Sequence, residues 1–310
     1  MSLALVFPGQ GAQTVGMGRD LAESYPSARA IFDEVDDALD EHLSALIWGG
    51  DLETLTLTQN AQPALMATSL AALSALQSEG LSLESISFVA GHSLGEYSAH
   101  CAAGTLSIAD TARLLRIRGK AMQEAVPVGH GAMAALLGLN FETVIEVANE
   151  AAQGEICQAA NDNDPGQVVV SGHKAAVERA IKIADRRGAK RAVMLPVSAP
   201  FHCALMEPAA SIMANALSSV KMANPEVSIV PNVNAEGCIS PAVLKKLLVQ
   251  QVTSPVRWRE SIMWMTEQGV TEIWEVGAGK ALSGMVRRID KTISTRAIGG
   301  SNDVEAALNV

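Results

Sequence analysis

The sequence predicts an α/β protein in two parts, a larger unit built on a parallel sheet and a smaller α+β unit inserted into it. Two observations carry this reading. Short apolar strands bounded by tight turns alternate with helical stretches along most of the chain, the order a parallel sheet requires. Between residues 129 and 197 the order becomes β-α-β-β-α-β, the ferredoxin-like pattern. The expected division is therefore 1–128 and 198–310 for the larger unit, with 129–197 as the insert.

The elements follow in order. Residues 3–7 read as a strand halted by Pro8-Gly9-Gln10-Gly11, and helical patterns cover roughly 18–46 and 61–79. Ile86-Ser87-Phe88-Val89-Ala90 is a second apolar strand that runs into Gly91-His92-Ser93-Leu94-Gly95. The pattern then turns helical through Cys101, and again over about 108–125. In the insert, 131–139 reads as a strand and 141–152 as a helix. Strands at 156–161 and 167–171 flank the turn-rich Asp162-Asn163-Asp164-Pro165-Gly166, and helix 174–187 and strand 190–197 complete it. Strands at 227–230, 272–276 and 295–298 return to the larger sheet.

Composition bounds the function. With 48% hydrophobic and 18% charged residues over 310 positions, the chain can bury a large core. No apolar run approaches the roughly 18 residues that span a bilayer, so no membrane association is expected. The N-terminus has no basic n-region and meets Pro8-Gly9 at once, which makes it a poor signal peptide. Cys101, Cys157, Cys203 and Cys238 lack metal-ligand spacing, so free thiols, no metal and a cytoplasmic setting are expected. A net charge of −10 excludes nucleic acid as a general partner, because phosphate binding needs a basic field. Local cationic clusters at Arg186, Arg187, Lys190 and Arg191, and at Lys280, Arg287 and Arg288, can still meet an anionic partner.

Gly91-His92-Ser93-Leu94-Gly95 carries the chemistry. A nucleophilic serine must sit on a strained strand-to-helix turn so that its hydroxyl projects, and small flanking residues make room for backbone and substrate. The Leu94 N–H then points toward a developing oxyanion, helped by the helix N-terminus. The bland alternative is a tight turn with Ser93 as a helix cap. Of six histidines, His42 and His100 lie in helical patterns, His130 and His173 stand at element ends, and His92 diverges from Ser93. His202 lies in the loop Pro196-Val197-Ser198-Ala199-Pro200-Phe201-His202-Cys203, and spacing alone favours it only modestly as the base.

Several stretches together resemble one family, the malonyl-CoA:acyl carrier protein transacylases and related acyltransferase domains of polyketide synthases. They are Phe7-Pro8-Gly9-Gln10-Gly11-Ala12-Gln13, Gly91-His92-Ser93-Leu94-Gly95-Glu96-Tyr97, Arg118-Gly119-Lys120-Ala121-Met122-Gln123, Phe201-His202 and Glu275-Val276-Gly277. The resemblance implies an α/β-hydrolase-like larger unit with the ferredoxin-like insert. It implies Ser93 as nucleophile, His202 as general base, and Gln10 with the Leu94 N–H around the oxyanion. It also implies Arg118 as the grip on the malonyl carboxylate and Gln251 as the residue whose backbone carbonyl orients His202, although Gln250 is adjacent. Phe201 would crowd a 2-methyl branch and so favour malonyl over methylmalonyl. Asn161 and Gln167 could line the acyl pocket, but structural turn and strand roles are the favoured reading. The implied substrates are malonyl-CoA and acyl carrier protein, with CoA entering only as the thioester's handle and no cofactor required; a monomer is the default. Fatty acid synthesis is the expected use of the product, and three rivals stand beside this reading: a thioesterase or esterase using the same elbow, a non-catalytic module that binds carrier protein, and malonyl transfer serving malonate decarboxylation or polyketide synthesis.

Overall fold

The apolar run Leu-Ala-Leu-Val-Phe forms the central strand, β1 (Leu3–Phe7), in a computed structural model that describes residues 2–308. After it come α1 (Arg19–Ser24), α2 (Pro26–Leu39), α3 (Leu43–Gly49), α4 (Leu52–Thr56) and α5 (Thr58–Ser78). Strand β2 (Ile86–Gly91) leads into α6 (Gly95–Ala102) and α7 (Ile108–Glu124). The insert is β3 (Gly131–Leu137), α8 (Phe141–Ala152), β4 (Cys157–Asp164), β5 (Gln167–His173), α9 (Lys174–Arg186) and β6 (Arg191–Met194). The chain ends with α10 (Glu207–Ser218), β7 (Ser228–Val230), α11 (Pro241–Gln250) and α12 (Trp258–Glu267). Then follow β8 (Glu272–Val276), α13 (Ala281–Ile289), β9 (Ser294–Ile298) and α14 (Ser301–Leu308).

The larger sheet is parallel, in the order β7-β2-β1-β8-β9. Both faces are covered, which is why its strands read as continuous apolar runs rather than as alternation. The two-residue period of β1 sends Leu5 and Phe7 into the main core and Ala4 and Val6 into a second core with Trp258, Ile262 and Val286. The insert forms an antiparallel sheet in the order β4-β5-β3-β6. Ala132, Ala134 and Leu136 of β3 pack under helices α8 and α9, whereas Met133 and Ala135 join the main core.

Three expectations shift in the structure. The helical pattern over 18–46 is three helices, because Pro26 starts a new one and Asp40, at φ 52°, turns the chain left-handed. Helix α5 begins at Thr58 and runs through Pro63, which cannot donate to the Gln59 carbonyl; Arg116 Nη1 donates to that carbonyl instead, at 2.7 Å. Residues 162–164 belong to β4 rather than to a turn. Asp162 pairs with Arg259 of α12 at 2.8 Å and Asp164 with Arg288 of α13 at 2.7 Å. The Asp162 N–H also donates to the Val256 carbonyl at 2.9 Å, so contacts from the larger unit carry the strand beyond its expected end at 161 to Asp164.

Candidate active site

Ser93 stands between β2 and α6 with φ 53°, a left-handed conformation that a non-glycine residue adopts only when its surroundings enforce it. The surroundings are the neighbouring glycines. A Cβ on Gly91 would lie 1.9 Å from the Gly95 carbonyl carbon, and one on Gly95 would lie 2.2 Å from the Phe7 oxygen. The Gly-x-Ser-x-Gly spacing is thus what lets the elbow close against the end of β1. The Ser93 N–H donates to Asn232 Oδ1 at 2.9 Å, and Asn232 Nδ2 donates to the Gly91 carbonyl at 2.7 Å. Asn232 follows β7, so an adjacent strand end ties the elbow down.

Ser93 Oγ lies 2.8 Å from His202 Nε2, and His202 Nδ1 lies 2.9 Å from the Gln251 carbonyl. A carbonyl can only accept, so Nδ1 carries the proton and Nε2 is left as the acceptor for the serine hydroxyl. His202 is buried and also left-handed, at φ 59°. Burial pushes its imidazole down to about 3, with the positive charge of Arg118 adding to the effect. The ring is therefore neutral and ready to accept a proton across the physiological range. Gln251, at the end of α11, is buried and supplies the carbonyl that faces His202, whereas Gln250 is exposed.

Arg118 of α7 is 1% exposed. Its Nη2 donates to Ser93 Oγ at 3.2 Å and to Gln251 Oε1 at 2.9 Å, and Nη1 donates to Gln62 Oε1 of α5 at 2.8 Å. The guanidinium also lies over the Tyr97 ring, 5.5 Å from its centroid. Burial pulls its pKa below the ordinary arginine range, opposed by Tyr97 and Glu96. A cation held within hydrogen-bond reach of a nucleophile, on a buried helix face, is placed to meet an acyl group that carries its own negative charge.

The remaining residues fall into place around this centre. The Leu94 N–H has no acceptor among the described residues and lies at the start of α6. Gln10 lies in the loop after β1, where its Nε2 makes a long 3.5 Å contact to Thr58 Oγ1. That loop touches the elbow, since a Cβ on Gly9 would lie 2.7 Å from the His92 carbonyl oxygen. Phe201 is buried immediately before His202. His92 turns away from the hydroxyl, to Asn163 Oδ1 at 2.8 Å and the Trp258 ring. Asn161 is buried in β4 and forms a bridge with Val256, whereas Gln167 opens β5. Sequence reasoning gave no role to Asn232, Gln62 or Glu96. The local signals were a polar residue closely following an apolar strand, Asn232 after β7, and the place of Glu96 in the stretch 91–97 that carries the resemblance.

A profile of the acyl transferase domain family matches residues 4–295. The malonyl CoA-acyl carrier protein transacylase of Bacillus subtilis is 45% identical over 99% of this chain and 96% of its own length. The protein of that name from Escherichia coli K12 is also 45% identical, covering 99% of each chain. The solved acyl-carrier-protein S-malonyltransferase of Bartonella henselae superposes with a TM-score of 0.97 at 54% identity over the full length of both chains. A malonyl-transacylase solved in complex with a type II polyketide synthase acyl-carrier protein gives 0.96 at 43% identity, over 99% of each chain. An elbow serine, a carbonyl-oriented histidine and a buried arginine thus lie on a chain that matches these proteins end to end, and it belongs to the malonyl CoA-acyl carrier protein transacylase family of acyl transferases.

Proposed function

We propose that this protein moves malonyl groups from malonyl-CoA to the phosphopantetheine thiol of acyl carrier protein through an acyl-enzyme on Ser93. The observation that carries the reading is the convergence of His202 Nε2 and Arg118 Nη2 on one hydroxyl, at 2.8 and 3.2 Å. His202 removes the Ser93 proton as the oxygen attacks the thioester carbonyl, and the Gln251 carbonyl steadies the imidazolium that forms. The Leu94 N–H and the Gln10 loop hold the oxyanion, where one well-placed donor is worth about 2.7–4 kcal/mol. His202 then returns the proton to the departing CoA sulfur. The carrier protein's thiol enters, His202 takes its proton as the sulfur attacks the acyl carbonyl, and the acyl–oxygen bond breaks as His202 returns the proton to Ser93 Oγ.

Arg118 supplies selectivity by pairing with the malonyl carboxylate, whereas an acetyl group would leave this buried cation without that partner. Phe201 narrows the space beside the acyl carbon and disfavours a 2-methyl branch. The thioester supplies the activation, so a serine and a histidine suffice and no metal or prosthetic group is needed. The product supplies malonyl units for fatty acid synthesis. No helix among the described residues is long and apolar enough to cross a membrane, and we place the reaction in the cytoplasm.

The test is mass spectrometry of the intact chain and its Ser93 peptide after mixing with malonyl-CoA alone and quenching in acid. One malonyl group on Ser93, discharged by phosphopantetheinylated carrier protein, is the expected result. Free malonate without transfer would make the protein a hydrolase.

A further inference from the structure

The mechanism above leaves a fully buried carboxylate unused. Glu96 lies in the first turn of α6, three residues after the nucleophile, where the ordinary reading of an acid is a capping group for its own helix. The contacts say otherwise. Its Oε2 accepts from the Asn232 N–H at 2.8 Å and from Gln251 Nε2 at 2.8 Å, two groups brought in by other loops 136 and 155 residues away in sequence. Its Oε1 has no hydrogen-bond partner among the described residues. A carboxyl held this way is a poor stabiliser, because burial without full pairing is unfavourable.

What the contact does is orient an amide. Gln251 Nε2 faces three oxygens, those of Glu96, the Ser93 carbonyl at 3.0 Å and Asn232 Oδ1 at 3.2 Å. With the nitrogen directed there, Gln251 Oε1 must face Arg118 Nη2. The reversed amide would set an N–H donor against a guanidinium, which has only donors. We propose that Glu96 is a positioning residue for malonyl selection: its Oε2 fixes the Gln251 amide, which holds the Arg118 guanidinium beside Ser93. This rests on the transfer reading and deepens it.

The role belongs to the position of one oxygen rather than to charge, and two conservative variants separate these. Glu96→Gln loses the charge, but its amide oxygen can take the place of Oε2. Glu96→Asp keeps the charge but withdraws the oxygen by one methylene. The experiment measures kcat/KM for malonyl-CoA and acetyl-CoA, alongside the rate of labelling of Ser93 by an uncharged sulfonyl fluoride. Expected for Glu96→Asp is a loss of malonyl preference of about 10-fold or more, carried mainly by KM for malonyl-CoA. Its labelling should stay within about 3-fold of the native rate, and Glu96→Gln should keep the native preference within about 3-fold. Native preference in Glu96→Asp overturns the proposal. So does an equal loss in Glu96→Gln, which would assign the effect to charge, or a loss of labelling in step with transfer, which would mean general collapse of the site. The transfer reading is tested separately by malonyl loading of the native chain and of Ser93→Ala: loading that survives without Ser93 sinks that reading, whatever the Glu96 variants do.

Discussion

Arg118 is 1% exposed, and its Nη1 and Nη2 are met by Gln62, Gln251 and the nucleophile itself, while its buried Nε has no hydrogen-bond partner among the described residues. An incoming carboxylate therefore competes with neutral acceptors, and a charge-assisted bidentate pair is the stronger partner. Arg118→Ala should lower kcat/KM for malonyl-CoA by about 100-fold, on the order of 3 kcal/mol, and bring the malonyl-to-acetyl ratio close to one. Parallel measurement of both thioesters checks this, and an unchanged ratio would remove Arg118 from substrate selection. The same cation acts on His202, whose pKa burial and Arg118 together push down to about 3. The base works in its neutral form, which is fully present well above that value and is lost only as pH falls toward it. The pH profile of kcat/KM for malonyl-CoA should consequently show no acid limb near 6.5, the ordinary histidine value, and remain flat down to about pH 5. A limb at the ordinary value would mean that the ring is solvated in the working enzyme.

At the scale of elements, the site depends on how closely α7 approaches α5, since Arg118 comes from one and Gln62 from the other. Gly119 permits the approach: a Cβ there would meet Gln59 Cα and the Thr58 carbonyl oxygen, both at 2.6 Å. These are backbone atoms of a helix, so they cannot step aside as a side-chain end can. Gly119→Ala should destabilise by about 1–3 kcal/mol through overpacking and lower the thermal midpoint by several degrees. It should also weaken malonyl selection, because it forces apart the helices that hold Arg118 and Gln62; calorimetry and the two-thioester assay on one sample check both effects. Much at this scale was legible in the sequence. The five strands of the parallel sheet were, because strands buried on both faces are short apolar runs stopped by glycine and proline. The order of the insert was legible too, because β3 and β5 are short buried runs rich in apolar residues. Its turn at 162–164 was misread, because Asp and Asn score as turn formers and only Arg259 and Arg288, over 90 residues further on, make them strand residues. Ser93 declared itself through its glycines, whereas His202, Arg118 and Gln251 were found through family resemblance rather than spacing. Asn232, Gln62 and Glu96 escaped for the same reason as the turn: a lone polar residue looks like surface until the partners that bury it are folded against it.

For the whole molecule the question is how a chain with net charge −10 receives an acidic carrier protein. The answer must be local, and the structure sorts the cations. Arg187 of the α8–α9 face already pairs with Glu146 and Glu150, each at 2.8 Å, and Arg186 approaches Glu150 at 3.7 Å. Arg288 is joined to Asp164 and ties the larger unit to the insert. Lys190 and Arg191 stand exposed where β6 begins, on the strand whose chain continues into the His202 loop. Reversing both, as Lys190→Glu with Arg191→Glu, should raise the apparent KM for carrier protein by about 3- to 10-fold at low ionic strength. The effect should shrink at 0.5 M salt, where the Debye length falls to about 4–5 Å. Two-step transfer makes the measurement clean, because formation of the Ser93 adduct from malonyl-CoA involves no carrier protein. The double variant should load at the native rate and discharge slowly. Slow loading would mean that the pair serves the CoA thioester instead, since CoA phosphates are also anionic. Native rates in both steps would move the docking surface to the other exposed cations, Lys280 and Arg287, where the same pair of rates gives the decision.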